Sequence, residues 1–219
     1  MLTTSIFVGA LGFVYGSLFQ LEMRTFLPFV AVGLVIWGFI SAVASEGVMT
    51  FVEAESFIRQ IRVSLFVYVM RVVWRNTLVL AYQMVVALAV VFALAAPDLW
   101  LLPLAAFGLL LVLLQATWIV PLLGLVGVRF RDLHPIISNL LQVMFFVTPI
   151  LWSPTLLGER RWIADINPLH SLISVVREPL MGMPPEPYAY VMVAGTTICG
   201  FLTTTVLFSR LSSRVVYWL

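Results

Sequence analysis

Val128-Arg129-Phe130-Arg131-Asp132-Leu133-His134-Pro135 interrupts an otherwise apolar run that extends from Leu99 to Trp152. The reading of this interruption decides the fold. Arg129, Arg131 and Asp132 would each cost ~2.5–3.5 kcal/mol at the centre of a bilayer. Nothing between Leu99 and Trp152 offsets that sum, so the turn is expected in water. The run then divides into two crossings, residues 99–126 and 136–152.

Outward from that turn the composition points the same way. The chain is 62% hydrophobic and 10% charged. A soluble domain is nearer a half apolar and about a quarter charged. Lipid is therefore the expected solvent, and an all-α integral membrane protein the expected fold class. Residues 2–19, 26–44, 77–96 and 188–208 supply four more apolar stretches, giving six crossings in one transmembrane domain over residues 1–219. Met1 to Gln20 lacks a basic leading region and a small-residue cleavage site, so a removed signal peptide is the weaker reading. Gly12 and Gly16, with Gly9 on the same side, permit close helix packing in the first crossing. Pro28 is expected near a helix start, where its missing amide is harmless. Pro103 and Pro121 are expected to bend the fourth crossing.

Between the second and third crossings the pattern changes. Thr50-Phe51-Val52-Glu53 has the form of a capping box. Phe51, Ala54, Ile58, Ile61 and Leu65 recur at helical spacing, with Glu53, Glu55, Arg59 and Arg62 off that stripe. A short amphipathic helix over residues 50–62 is expected, resting on headgroups or docking a partner. Arg71 and Arg75 are expected to snorkel to the membrane surface. After the fifth crossing, Ser153 to Pro187 is too polar and proline-rich to cross.

Six crossings place both termini on one side. Of the twelve arginines, eight (Arg59, Arg62, Arg71, Arg75, Arg129, Arg131, Arg210, Arg214) share that side and four (Arg24, Arg160, Arg161, Arg177) lie opposite. The positive-inside rule then makes the termini cytoplasmic.

The chemistry is informative by what it lacks. There is no lysine, which excludes a P-loop. One cysteine, Cys199, excludes an intrachain disulfide and a cysteine-based metal site. His134 and His170 are read as solvated or interfacial. No carboxylate falls mid-crossing, where an ion-coupled carrier needs one. Gln83, Gln115, Asn139 and Gln142 read as interhelical hydrogen-bond partners. No catalytic set, cofactor, metal site or nucleic-acid partner is expected. Asp165 and Glu178 could serve a membrane enzyme acting on lipid-linked sugars, and a purely structural subunit is a further alternative. Phe7, Phe13, Tyr15 and Phe19 in the first crossing, and Phe145, Phe146 and Trp152 in the fifth, suit sugar rings or an interface belt.

The order Arg129-Phe130-Arg131-Asp132-Leu133, Thr148-Pro149-Ile150, Asn167-Pro168-Leu169 and Arg177-Glu178-Pro179-Leu180-Met181-Gly182 resembles the permease subunit of bacterial polysaccharide ABC exporters. These are the O-antigen, capsule and teichoic-acid transporters of the type-2 ABC export superfamily. The resemblance implies a homodimer in the bacterial inner membrane, two nucleotide-binding ATPase subunits that hold ATP and Mg, and a lipid-linked polysaccharide as cargo. The same fold could carry a drug, a lipid or a lipo-oligosaccharide. The resemblance also assigns roles. Phe51, Glu53, Phe57, Ile58, Arg59 and Arg62 match the ATPase-coupling helix, and Arg129, Arg131 and Asp132 a cytoplasmic gate. Phe7, Phe13, Tyr15, Phe19, Phe145, Phe146 and Trp152 match the glycan channel. Asn167, Pro168 and Arg177 match extracytoplasmic re-entrant helices. Family members carry an amphipathic segment before the first crossing. The chain opens almost inside that crossing, so the segment is expected to be missing, through a late gene start, a shortened chain or true absence.

Overall fold

The computed structural model describes residues 23–60, 63–95 and 97–219, and these contain helices and turns with no strand among them. The first expected crossing, with Phe7, Phe13, Tyr15 and Phe19, lies outside the described residues, as does Arg62. In chain order the α-helices are α1 (Met23–Met49), α2 (Glu55–Gln60), α3 (Leu65–Leu94), α4 (Leu102–Arg129), α5 (Leu133–Val147), α6 (Trp162–Asp165), α7 (Pro168–Leu180), α8 (Pro187–Leu211) and α9 (Val215–Trp218). Single 3-10 turns precede α4, α6 and α9.

Among the described residues, four helical stretches are long and apolar enough to cross a membrane: Met23–Met49, Leu65–Leu94, Leu99–Arg129 and Pro187–Arg214. α5, with 15 residues, is shorter. It rises only ~22 Å, less than a ~30 Å hydrocarbon core. It ends ahead of Pro149, because the residue before a proline is driven out of the helical region. α3 starts twelve residues before the expected 77, because Arg71 and Arg75 sit within it rather than before it. The prolines exchange roles relative to expectation. Pro28 lies inside α1, where it removes a backbone hydrogen bond. Pro103 is the second residue of α4, where no bond is lost, and only Pro121 is interior.

The chain forms two compact units. The first draws on Met1–Gly38, Val79–Leu111 and Phe145–Val193. Its most enclosed element is α7, in which ten of thirteen residues are buried. Sequence sets both ends of α7. At the start, the Asn167 side chain accepts a hydrogen bond from the Leu169 amide and Pro168 occupies the first turn. At the end, Gly182 takes φ +80°, a conformation only glycine adopts freely. The Gly182 amide donates to the Pro179 carbonyl and the Met183 amide to the Glu178 carbonyl, which closes the helix as a Schellman motif. α4 passes so close to α7 that a methyl group on Gly108 would meet the Val175 carbonyl oxygen at 2.1 Å.

The second unit draws on Phe39–Leu78, Val112–Met144 and Ala194–Leu219. Here α1 packs on α4 through glycine. A methyl on Gly127 would lie 2.1 Å from the Val48 carbonyl oxygen, and one on Gly124 about 2.9 Å from the Phe51 ring. Small residues permit this approach, and van der Waals contact rather than water exclusion supplies the attraction in lipid. Polar pairs add to it. Gln115 donates to Thr197 at 2.7 Å, and Thr204 to the Trp118 carbonyl at 3.0 Å. Gln115 therefore bridges helices as its amide suggested.

Candidate functional site

Two clusters carry most of the polar chemistry, one in each unit. In the second unit the cluster surrounds the junction of α1 and α2. Glu46 receives a hydrogen bond from buried Asn76 and pairs with Arg75 at 2.6 Å. Arg75 therefore pairs with Glu46, where snorkelling was expected. The capping box does not form: Thr50 Oγ1 donates back to the Glu46 carbonyl, and residues 50–54 are turns. A threonine just past a helix end can satisfy its hydroxyl locally in this way. Within the described part of 50–62, helix begins only at Glu55, as α2, Glu55–Gln60. Its apolar stripe splits accordingly. Phe51 and Ala54 are buried, whereas Phe57 is 53% exposed. Glu53 and Arg59 are exposed and Ile58 is half-buried. Phe51 thus anchors the segment while Phe57 and Arg59 face outward. Glu55 and Arg59 pair along α2 at 2.9 Å.

The charged turn belongs to the same unit. Arg129, Phe130, Arg131 and Asp132 are all exposed, as the cost of burying them requires. The chain's last helix meets them: the Arg129 guanidinium lies 5.7 Å from the Trp218 ring, and Arg131 reaches the Leu219 carbonyl at 3.5 Å.

In the first unit the motifs that are far apart in sequence meet. Buried Thr148 accepts a hydrogen bond from Asn167 at 3.0 Å. The Pro149 carbonyl accepts one from Arg177 Nη1 at 2.8 Å. Thr148-Pro149-Ile150, Asn167-Pro168 and Arg177 are therefore one packing unit. Arg177 is 2% exposed and its guanidinium lies 3.8 Å from the centre of the Phe29 ring. Burial draws its pKa down to about 10, so it keeps its charge at neutral pH. Its Nε has no hydrogen-bond partner. Phe145 contacts Trp37 at 5.8 Å and Phe146 at 5.4 Å, while Phe146 itself is exposed and Trp152 half-buried.

His170 corrects the sequence reading, since it is 6% exposed rather than solvated. It sits 3.5 Å from Ser174 on the next turn of α7. Burial, reinforced by the charges of Arg177 and Arg161, pushes its pKa down to about 4. An unfolded histidine takes its proton near pH 6.5. The folded site resists it until about pH 4, so the contribution to stability is complete above 6.5 and is lost as pH falls through that window. The loss amounts to ~3 kcal/mol. Thermal melting of the detergent-solubilised protein across this range should show the decline, and His170→Gln should flatten it by that amount.

Asp165, His170 and Glu178 share one small cavity of about 20 Å³. That holds about one water molecule and no sugar. The arrangement can position these groups but cannot seat a substrate among them.

What the described residues define is an all-helical membrane protein whose polar groups serve helix contacts and turns. A family profile described as ABC-2 type transporter matches residues 1–181, and the chain belongs to that family. Among curated proteins it is 28% identical over 213 residues to an O-antigen export system permease protein RfbA of Klebsiella pneumoniae, covering 92% of this chain and 80% of the relative. A permease of the same name from Myxococcus xanthus is 27% identical over 168 residues, with 74% and 65% covered. A second from Klebsiella pneumoniae is 27% identical over 214 residues, with 92% and 80% covered.

Proposed function

We propose that this chain is the transmembrane subunit of an ATP-driven exporter of a cell-surface polysaccharide, of which O-antigen is the type named for its relatives. The observation that carries the reading is the similarity to those permeases over nine-tenths of the chain. The packing of the three separated motifs around Arg177 supports it, because residues shared in order with polysaccharide exporters prove to be partners in space. Two copies would pair with two ATPase subunits that bind ATP and Mg. α2, presented by buried Phe51 and tied through Glu46 to α3, is the surface the ATPase would engage. Six crossings with cytoplasmic termini place α2 and the Arg129 turn on the cytoplasmic side of the inner membrane. Residues 153–186 then form the extracytoplasmic re-entrant segment. Phe145, Phe146 and Trp152 would line the path along which the lipid-linked glycan passes.

Co-expression with the ATPase encoded nearest to the gene tests this. The two proteins are expected to co-purify, and a deletion strain is expected to lose its long-chain surface glycan while accumulating it inside. An intact surface glycan in that strain, with loss of a drug or lipid efflux activity instead, would move the cargo to another class. Asp165→Asn combined with Glu178→Gln is expected to leave glycan synthesis unchanged, which separates transport from an enzymatic role.

A further inference from the structure

Arg177 presents an unfinished problem in electrostatics. A buried cation normally has an anion or a full set of acceptors around it. Here Nη1 has the Pro149 carbonyl, one face has the Phe29 ring, and Nε has nothing. No ion pair to Arg177 exists among the described residues. The nearby charges are already engaged. Arg161 pairs with Glu186 and Asp165. Burial pushes the Glu178 carboxyl upward, toward the protonated form, against the opposing pull of Ser174 and Arg177. Arg177 thus has no ion-pair partner, and of the nearby carboxylates only the adjacent Glu178 bears on its charge.

Beside it is room for a compensating group. Arg177 lines a cavity of about 320 Å³, together with Phe29, Ser153, Thr155, Met181 and Met183. That is the space of ~10 water molecules, enough for a phosphate and part of what it is attached to. The Ser153 and Thr155 hydroxyls hydrogen-bond one another at 2.8 Å, which leaves one of the pair as a neutral donor on one side. The methionines give an apolar wall. Glu178 and Glu186 also line the cavity, Glu186 paired with Arg161 and Glu178 shifted by burial toward its protonated form. A planar guanidinium with donors to spare suits an oxyanion, whose oxygens accept charge-assisted hydrogen bonds.

We propose that this cavity binds a phosphate-type oxyanion, with the Arg177 guanidinium as its principal donor and the Ser153–Thr155 hydroxyl pair completing the contact. The phosphate is either free in solution or that of an anionic phospholipid headgroup, which lacks the quaternary ammonium that neutralises phosphatidylcholine. The exposed Trp162, Ile163 and Ile166 side chains, in the stretch between Thr155 and Arg177, are of the kind that lies at a lipid surface. The proposal is independent of which cargo is exported, so its failure would leave that reading intact.

The test uses the full chain in phosphatidylcholine nanodiscs, followed by thermal unfolding. Inorganic phosphate is titrated against chloride at equal ionic strength, and in a parallel arm phosphatidylglycerol replaces part of the lipid. Saturable stabilisation by phosphate supports a free anion site. Stabilisation by phosphatidylglycerol alone supports a headgroup site. Arg177→Lys retains the charge without the fork and should weaken the stabilising arm about tenfold. Thr155→Ala, at an exposed position, should weaken it less and reports on the site even where an Arg177 variant folds poorly. If phosphate acts no differently from chloride and phosphatidylglycerol no differently from phosphatidylcholine, the site does not exist. An affinity unchanged in both variants would overturn it equally.

Discussion

Export falls to background when Phe57 and Ile58 are both replaced by aspartate, while the permease still reaches the membrane and melts at its usual temperature. The expectation follows from how α2 is held. Phe51 and Ala54 are buried and fix the segment against the rest of its unit, so they bear on folding. Phe57 is 53% exposed and makes little contact within the chain. An exposed aromatic beside a half-buried isoleucine on a six-residue helix is a small apolar platform edged by Glu53, Glu55 and Arg59. Two apolar anchors of ~2 kcal/mol each correspond to docking weakened about a thousandfold. Co-purification of the ATPase measures that loss directly, and surface glycan measures its consequence. Retained export with a bound ATPase would show that coupling uses another surface. Glu46→Gln should have a smaller effect in the same assay. It removes the charge that pairs with Arg75 and accepts from Asn76, loosening the support of α2 without touching its outer face. The pair is partly exposed, so its own contribution to stability is at most ~1 kcal/mol.

The largest effect on stability is expected at Gly108 and Gly127. A methyl group at either would sit 2.1 Å from a backbone carbonyl oxygen, that of Val175 or Val48. Backbone cannot turn aside as a side-chain tip can. The paired helices must separate, and every contact along them weakens together. Gly108→Ala and Gly127→Ala should each destabilise by ~3 kcal/mol, the upper end of overpacking costs. Melting in detergent and the yield of folded protein would both report it. Gly195→Ala is the internal comparison. It lies in α8 with nothing within 4 Å of an added methyl. It should be neutral or slightly stabilising, since alanine is the better helix former by up to ~1 kcal/mol. Equal melting temperatures for all three variants would show that these close approaches are not tight in the folded protein.

The alternation of apolar runs and charged breaks was enough to establish a helical membrane protein, because neither Arg129-Phe130-Arg131-Asp132 nor the run around it has an alternative solvent. The ends of α7 were legible for a local reason: Asn167-Pro168 and Met181-Gly182 act on backbone groups a few residues away. Helix limits were less legible where charges lie within a helix rather than at its end, as Arg71 and Arg75 do in α3. The capping box failed because Thr50 found a nearer acceptor in the Glu46 carbonyl. Sequence marked Gly12 and Gly16 for close packing and passed over Gly108 and Gly127. Spacing along one helix cannot show which face another helix will press. Likewise His170 read as solvated or interfacial, and only tertiary packing buries it, with Arg177 beside it on α7. Whether a titratable side chain meets water depends on neighbours hundreds of atoms away along the chain. Hydropathy therefore determines which solvent each segment meets. The three-dimensional arrangement alone decides which polar group is left without a partner.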